Sequence, residues 1–252
     1  MSLTLAESDF STCEISDALL KLGVPHGGHI PDIHRISPEP ASASIRLCGP
    51  AYTVRLVLAS DLDAPKLQGH FVDLAPEGTV AFVCAPPGQP AYCFCFSKKI
   101  LTKAVSGRKQ KPGAQNAVWG ELMTAGAQAR GVRGAIVSGR VRDTAEHRAA
   151  CFPVFARGTS TVGQSPFTRA AEVQVPVMVN VDAQRHGGIP AITVNPGDIL
   201  LADEDGVVCV PKPLEQDVLR IATQGREVDA RCLRDIQSGV GVAEAFRRHR
   251  GK

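Results

Sequence analysis

Residues 134–149 read GAIVSGRVRDTAEHRA, and they crowd Arg140, Arg142 and Asp143 between an apolar run and the start of a helix. One polar residue and a glycine would make such a turn, so three ionisable groups call for a further role. A guanidinium offers a planar fork that matches a carboxylate, and an aspartate offers a hard oxygen ligand for Mg2+ or Mn2+. Together they complement an α-keto acid, which chelates a metal through its carbonyl and carboxylate oxygens. A plainer reading stands beside this one. Asp143 and Glu146 have the spacing of an acidic N-cap with a capping-box glutamate, and Arg140 and Arg142 could be exposed charges or ion-pair partners worth roughly 0–1 kcal/mol.

Gly120-Glu121-Leu122-Met123 supplies a second wall. If a helix begins near Gly120, the amides of its first turn point outward together, and the helix dipole favours an anion there. A glycine that merely starts a helix accounts for the same residues.

The elements around these residues follow from pattern. Ser11-Thr12-Cys13-Glu14 has the form of a capping box, and Ile15, Ala18, Leu19 and Leu22 follow at helical spacing before Gly23, which predicts a helix over 12–22. Residues 24–40, rich in Gly, Pro and His, read as a loop. Apolar runs at 46–58 and 78–86 read as strands, and residues 89–115 as an irregular insertion with a short strand candidate, AYCFCF. In AVWGELMTAGAQARGVRGAIVSG, Leu122, Ala125 and Ala129 form a helical stripe that ends at Gly131, before a short buried strand. TAEHRAA reads as a helix and PVFAR (153–157) as a strand. VPVMVNV, AITV, DILLA and GVVCVP alternate with turns, of which Asp205-Gly206 is a hairpin signal. Residues 213–249 are amphipathic and helical, with a break near Ser238-Gly239. Many strands, terminal helices and one strand–helix–strand unit, with no repeat or low-complexity linker, predict a single α/β domain over 1–252.

Composition narrows the function classes. Of the 252 residues, 44% are hydrophobic and 21% charged, which suffices for a sizeable core. The formal charge of +3 gives no electrostatic case for nucleic acid or a membrane surface. No apolar run reaches the roughly 18 residues of a spanning helix, and MSLTLAESDF lacks the regions of a signal peptide, so a cytoplasmic protein is expected. The eight cysteines contain no C-x-x-C; Cys84, Cys93, Cys95 and Cys209 sit in strand-like runs, as reduced and buried thiols rather than zinc ligands.

STCEISDALLKLG, CGPAYTV, AVWGELMTAGAQARGVRGAIVSGRVRD, FPVFARGTSTVG and VNPGDILLADEDGVVCVP, in that order from about residue 11 to residue 211, resemble the 4-hydroxy-4-methyl-2-oxoglutarate aldolases and the related regulators of ribonuclease E activity. The resemblance implies a compact β/β/α swivelling-domain fold and a divalent-metal-dependent pyruvate aldolase, which would also decarboxylate oxaloacetate. It implies a homotrimer or homohexamer with sites at subunit boundaries. Carried onto this chain, backbone amides of Gly120, Glu121, Leu122 and Met123 would bind the substrate carboxylate, Arg142 would contact the keto acid, and Asp143 would bind Mg2+ or Mn2+. Glu121 stands where an acidic side chain usually holds metal-bound water. A further carboxylate would come from a neighbour's C-terminal region, as Glu227 or Asp229. The insertion at 89–115 departs from the compact bacterial pattern and resembles longer fungal relatives.

In a retro-aldol cleavage the enolate of pyruvate must be held as the carbon–carbon bond breaks, which the metal on Asp143 and the charge of Arg142 would do. The expected base is a metal-bound water or hydroxide, since His147, one helical turn past Asp143, reads as a surface or capping histidine. No lysine is placed for a Schiff base in the motif. A non-catalytic interaction protein of the ribonuclease-regulator type is the alternative, and a hydrolase or isomerase of another keto acid a third possibility.

Overall fold

The structure, a computed structural model, describes residues 3–38, 45–86, 114–179 and 191–251. The N-terminal capping box forms: Ser11 Oγ accepts from the Glu14 amide at 3.3 Å, and Glu14 Oε2 accepts from the Ser11 amide at 2.9 Å. These bonds start α1 (Thr12–Lys21). Two short strands, β1 (His29–Ile30) and β2 (His34–Ser37), follow inside the stretch that reads as a loop. They are too short for a detectable period, and each is defined by a partner distant in sequence, β1 by residues 207–208 and β2 by residues 154–156.

The predicted apolar runs become β3 (Leu47–Leu58) and β4 (Val80–Cys84). The AYCFCF strand and most of the insertion lie outside the described residues. β5 (Ala117–Trp119), α2 (Glu121–Ala129) and β6 (Gly134–Val141) form the expected strand–helix–strand unit. After it come α3 (Thr144–Ala149) and β7 (Val154–Thr159). β8 (Thr168–Val173), TRAAEV, has no apolar alternation to announce it, and it pairs with the end of β3. β9 (Val177–Val179) and β10 (Ile192–Val194) form a separate antiparallel ribbon. The Asp205-Gly206 turn joins β11 (Ile199–Ala202) to β12 (Val207–Val210), closed by the Asp203 amide on the Gly206 carbonyl at 3.1 Å. α4 (Glu215–Gln237) and α5 (Val242–Arg250) break where Gly239 takes φ +95°.

The main sheet runs β1-β12-β11-β3-β4-β6-β7-β2, with β5 added on β6 and β8 on β3. Its centre is parallel: β3 with β4, β4 with β6, β6 with β7. The sheet curls into a half-barrel flanked by helices, a mixed α/β architecture. Alternate residues of each strand enter different cores, which is why these strands read as continuous apolar runs. Tyr52, Val54, Ala81, Val83, Ala135, Val137, Val154 and Ala156 face a first core with Trp119 and Ala127. Ala51, Val80, Phe82, Ile136 and Phe155 face a second, with Leu200, Val207 and the β9–β10 ribbon. Ile199, Leu201, Val208 and Val210 turn to a third, under α1 and α4.

One expectation is corrected. The apolar stripe Leu122, Ala125, Ala129 on α2 faces outward, with Leu122 71% exposed, whereas Thr124 and Ala127 are buried. A hydroxyl takes the inward position because polar groups of two other elements meet there, as described below. No helix among the described residues is long and apolar enough to cross a membrane.

Candidate active site

The end of β6 is tied to the end of β5, since the Arg142 amide donates to the Trp119 carbonyl at 3.0 Å. Asp143 then adopts φ +59°, ψ +48°, a left-handed conformation that aspartate tolerates as a single residue. Although Asp143 occupies the N-cap position of α3, its side chain does not cap that helix, and the Asp143–Glu146 capping box is not formed. The carboxylate reaches across instead: Oδ2 accepts from the Glu121 amide, the first residue of α2, at 3.0 Å. Arg142 Nε stands 3.4 Å from the same oxygen. Oδ1 makes no hydrogen bond among the described residues.

Gly120 is required by space rather than by its backbone angles, which are extended (φ −145°, ψ −172°). A Cβ there would stand 2.5 Å from Asp143 Oδ2 and 3.3 Å from Arg142 Nε. On the other side of the guanidinium, a Cβ on Gly163 would stand 2.7 Å from Arg142 Nη1. Two bare backbone positions therefore clamp Arg142. Sequence reasoning gave Gly163 no role: it ends the FPVFARGTSTVG stretch, in the loop after β7, and spacing alone does not show that Arg142 packs against it.

Structure thus brings Gly120–Met123 and Arg142–Asp143 together. The Glu121 amide is engaged by Asp143, and the Met123 amide donates to the Gly120 carbonyl at 3.1 Å inside the helix. The Glu121 and Leu122 side chains are exposed at the start of α2. Glu227 and Asp229 lie elsewhere in the same chain, on α4, which packs against α1 over the third core. Asp229 Oδ1 accepts from Arg250 at 2.6 Å.

His147 is fully buried and not a surface histidine, because α3 turns it inward behind the site. Its Nδ1 lies 3.0 Å from Thr124 Oγ1, which also accepts from Trp119 Nε1 at 2.9 Å. β5, α2 and α3 are thereby pinned together through one hydroxyl. Nε2 has no hydrogen-bond partner among the described residues. Burial pushes the imidazole pKa down, against the opposing pull of the Arg142 backbone and the Asp143 and Glu146 charges, so the ring favours the neutral form. α3 spans six residues, too few for a period to mark its inner face.

The donor set suits a hard divalent cation in a limited way. The described residues hold no group of three or more His, Cys, Asp or Glu that could cage an ion. Asp143 offers one carboxylate oxygen without a hydrogen bond, and the neighbouring Glu121 carboxylate is exposed and without a partner among the described residues, which fits a cation such as Mg2+ that keeps most of its ligands as water and substrate oxygens.

A family model described as RraA-like, Aldolase/RraA, matches residues 12–209. Protein DlpA of Legionella pneumophila is 27% identical over 236 residues, 93% of this chain and 32% of that protein. A protein of Halalkalibacterium halodurans named "Putative 4-hydroxy-4-methyl-2-oxoglutarate aldolase" is 32% identical over 136 residues, 54% of this chain and 60% of its own length. The chain therefore spans about a third and three fifths of these two relatives. Among solved structures, an uncharacterized protein of Pseudomonas syringae superposes with TM-score 0.67 at 26% identity, covering 94% of this chain and 92% of that one. Streptomyces coelicolor RraAS2, described as an unusual member of the RNase ES inhibitor RraA protein family, shares the fold with TM-score 0.59 at 19% identity, over 88% of this chain and 90% of its own.

Proposed function

Because this chain belongs to the RraA-like family, we propose that it is a divalent-metal-dependent carbon–carbon lyase acting on 2-keto acids. Its substrates are of the 4-hydroxy-4-methyl-2-oxoglutarate or 4-carboxy-4-hydroxy-2-oxoadipate type, cleaved to pyruvate, and it also decarboxylates oxaloacetate. One observation carries this reading: Asp143 and Arg142 converge on the first turn of α2, with one carboxylate oxygen fixed by the Glu121 amide and the other free. The similarity to the Halalkalibacterium protein supports it from another side.

A divalent cation on Asp143 would supply Lewis acidity to the substrate's 2-keto oxygen. Arg142 holds a fixed positive charge beside the carbon that becomes the enolate, and the clamp between Gly120 and Gly163 fixes its direction before substrate arrives. The left-handed backbone of Asp143 and its bond to the Glu121 amide fix the direction of that carboxylate. Losing one such preorganised group costs on the order of 3 kcal/mol of transition-state stabilisation. His147 takes no proton from substrate in this scheme, since it lies buried behind the helices.

The same reading has the chain assemble as a trimer or a pair of trimers, with a neighbour's α4 completing the site. Two features support this: Leu122 at the start of α2 is an exposed apolar side chain, and Glu227 is exposed and makes no hydrogen bond among the described residues. Asp229 is already held by Arg250, so Glu227 is the carboxylate assigned.

The test is pyruvate release from oxaloacetate and from 4-hydroxy-4-methyl-2-oxoglutarate by purified protein with Mg2+ or Mn2+, repeated with EDTA. EDTA-sensitive release of pyruvate is expected. Absence of release with every substrate would discard the lyase and leave a non-catalytic regulator.

A further inference from the structure

Between residues 59–71 and residues 164–170 lies a cleft of about 400 Å3, a volume within the usual range of small-molecule sites. Ala59, Leu67, Phe71, Pro166 and Ala170 give it an apolar lining, and His70, Gln164, Ser165 and Arg169 contribute polar groups. Its two walls are tied to each other. Arg169 on β8 donates through Nη2 to the Asp61 and Ala64 carbonyls at 2.6 and 2.9 Å and through Nη1 to the Pro65 carbonyl at 2.6 Å, and the Ala59 amide donates to the Phe167 carbonyl at 2.9 Å. A site whose walls are fixed before a ligand arrives loses less freedom on binding.

The charges in the cleft point to an anion. No aspartate or glutamate lines it. Arg169 has no carboxylate partner among the described residues, and its Nε–H makes no hydrogen bond there, so three carbonyls hold a cation that nothing neutralises. His70 Nδ1 accepts from the Val72 amide at 3.3 Å, so the neutral ring carries its proton on Nε2 as a further donor. The Gln164 and Ser165 side chains make no hydrogen bond among the described residues and can donate as well. The His70 ring stacks on Phe71, with centroids 4.6 Å apart and 28° between the planes, which adds a flat aromatic wall. A fixed cation and several donors beside such a wall match a carboxylate carried on a flat apolar body.

We propose that this cleft is a second binding site, for a small carboxylic acid with a flat apolar body, whose carboxylate is taken by Arg169. It shares a scaffold with the candidate active site: Gln164 follows Gly163, which clamps Arg142, and the Phe71 ring lies 6.2 Å from that of Trp119, whose carbonyl holds the Arg142 amide. None of Gly120–Met123, Arg142 and Asp143 lines the cleft, so the assignment stands apart from the keto-acid reading.

Calorimetric titration of the full chain with benzoate tests it. Wild type is expected to bind benzoate with a dissociation constant of about 1 mM or lower, and to bind benzyl alcohol, which lacks the charge, and acetate, which lacks the ring, about tenfold or more weakly. Arg169→Gln keeps donors for the loop carbonyls and loses the charge, and is expected to weaken benzoate about tenfold. Gln164→Glu puts a carboxylate into the lining at nearly constant shape, and a similar weakening is expected from it should Arg169→Gln fail to fold. Arg142→Gln, in the candidate active site, is expected to leave benzoate affinity within about twofold of wild type. Absence of benzoate binding, equal binding of benzyl alcohol or acetate, or an unchanged benzoate affinity in Gln164→Glu or in folded Arg169→Gln overturns the assignment. Loss of benzoate binding in Arg142→Gln overturns it as well, by placing the carboxylate at the candidate active site.

Discussion

Asp143 Oδ2 lies 3.0 Å from the backbone nitrogen of Glu121, so the carboxylate at the start of α3 serves the first turn of α2 and not its own helix. One side chain thus locks two elements and keeps its other oxygen for the proposed cation. Asp143→Asn separates the two duties, since asparagine keeps the left-handed backbone and an acceptor for the Glu121 amide but loses the charge. The variant is expected to melt within a few degrees of wild type by circular dichroism. Calorimetry with Mn2+ should show binding lost, and pyruvate release should fall on the order of a hundredfold or more. Wild-type Mn2+ affinity in the folded variant would place the cation elsewhere.

Gly120→Ala probes the clamp without altering any charged group. The added Cβ would sit 2.5 Å from Asp143 Oδ2, and alanine accepts the local backbone angles, so the clash is with side chains alone. Asp143 is partly exposed and can move aside, which keeps the cost to folding small. Moving it by an ångström misplaces the reacting groups, and a fall in kcat on the order of a hundredfold is expected with the melting temperature nearly unchanged. Kinetics equal to wild type would show that the Asp143 position is not critical.

Thr124→Val tests the pin behind the site. Valine keeps the volume of threonine but leaves Trp119 Nε1 and His147 Nδ1 without their shared partner in a buried place. Each unsatisfied buried group costs about 1–3 kcal/mol, so urea denaturation should show a loss of about 2 kcal/mol or more, and Thr124→Ser should show little. A loss below about 0.5 kcal/mol in Thr124→Val would mean that the hydroxyl is not bonded as described.

Thr124 also shows where legibility ended. Strands buried on both faces announce themselves as apolar runs, so β3, β4, β6, β11 and β12 were visible, as were the capping box of α1 and the Asp205-Gly206 hairpin. On α2 the apolar stripe pointed to the wrong face, because the inward face is set by a hydroxyl network that no hydrophobic period encodes. β8 and the strands before residue 38 exist only through partners far along the chain. At the candidate site, residue types and motif order pointed to Arg142, Asp143 and residues 120–123, which the fold brings together. The direction of the Asp143 carboxylate, the burial of His147 and the part played by Gly163 depended on how three elements meet, which local spacing does not carry.

Arg226 on α4 ties the docking of α1 to pH. Its Nε and Nη2 donate to Glu14 at 2.6 and 2.8 Å, its Nη1 to Asp9 at 2.5 Å, and its guanidinium lies 4.1 Å over the Phe10 ring. The Arg226 hydrogen bonds hold the Glu14 carboxyl below its ordinary value of 4.5. A carboxylate depressed in the folded chain contributes stability above its unfolded pKa and loses it as pH falls through the folded value, because the unfolded chain then takes up more protons. Urea midpoints of wild type should therefore drop as pH falls below about 4.5. Arg226→Gln removes the attraction, so it is expected to be less stable at pH 7, by on the order of 1 kcal/mol for a pair partly open to solvent, and to lose less between pH 5 and pH 3. Parallel pH profiles for the two proteins would show that the Glu14–Arg226 pair adds nothing to the docking of α1 on α4.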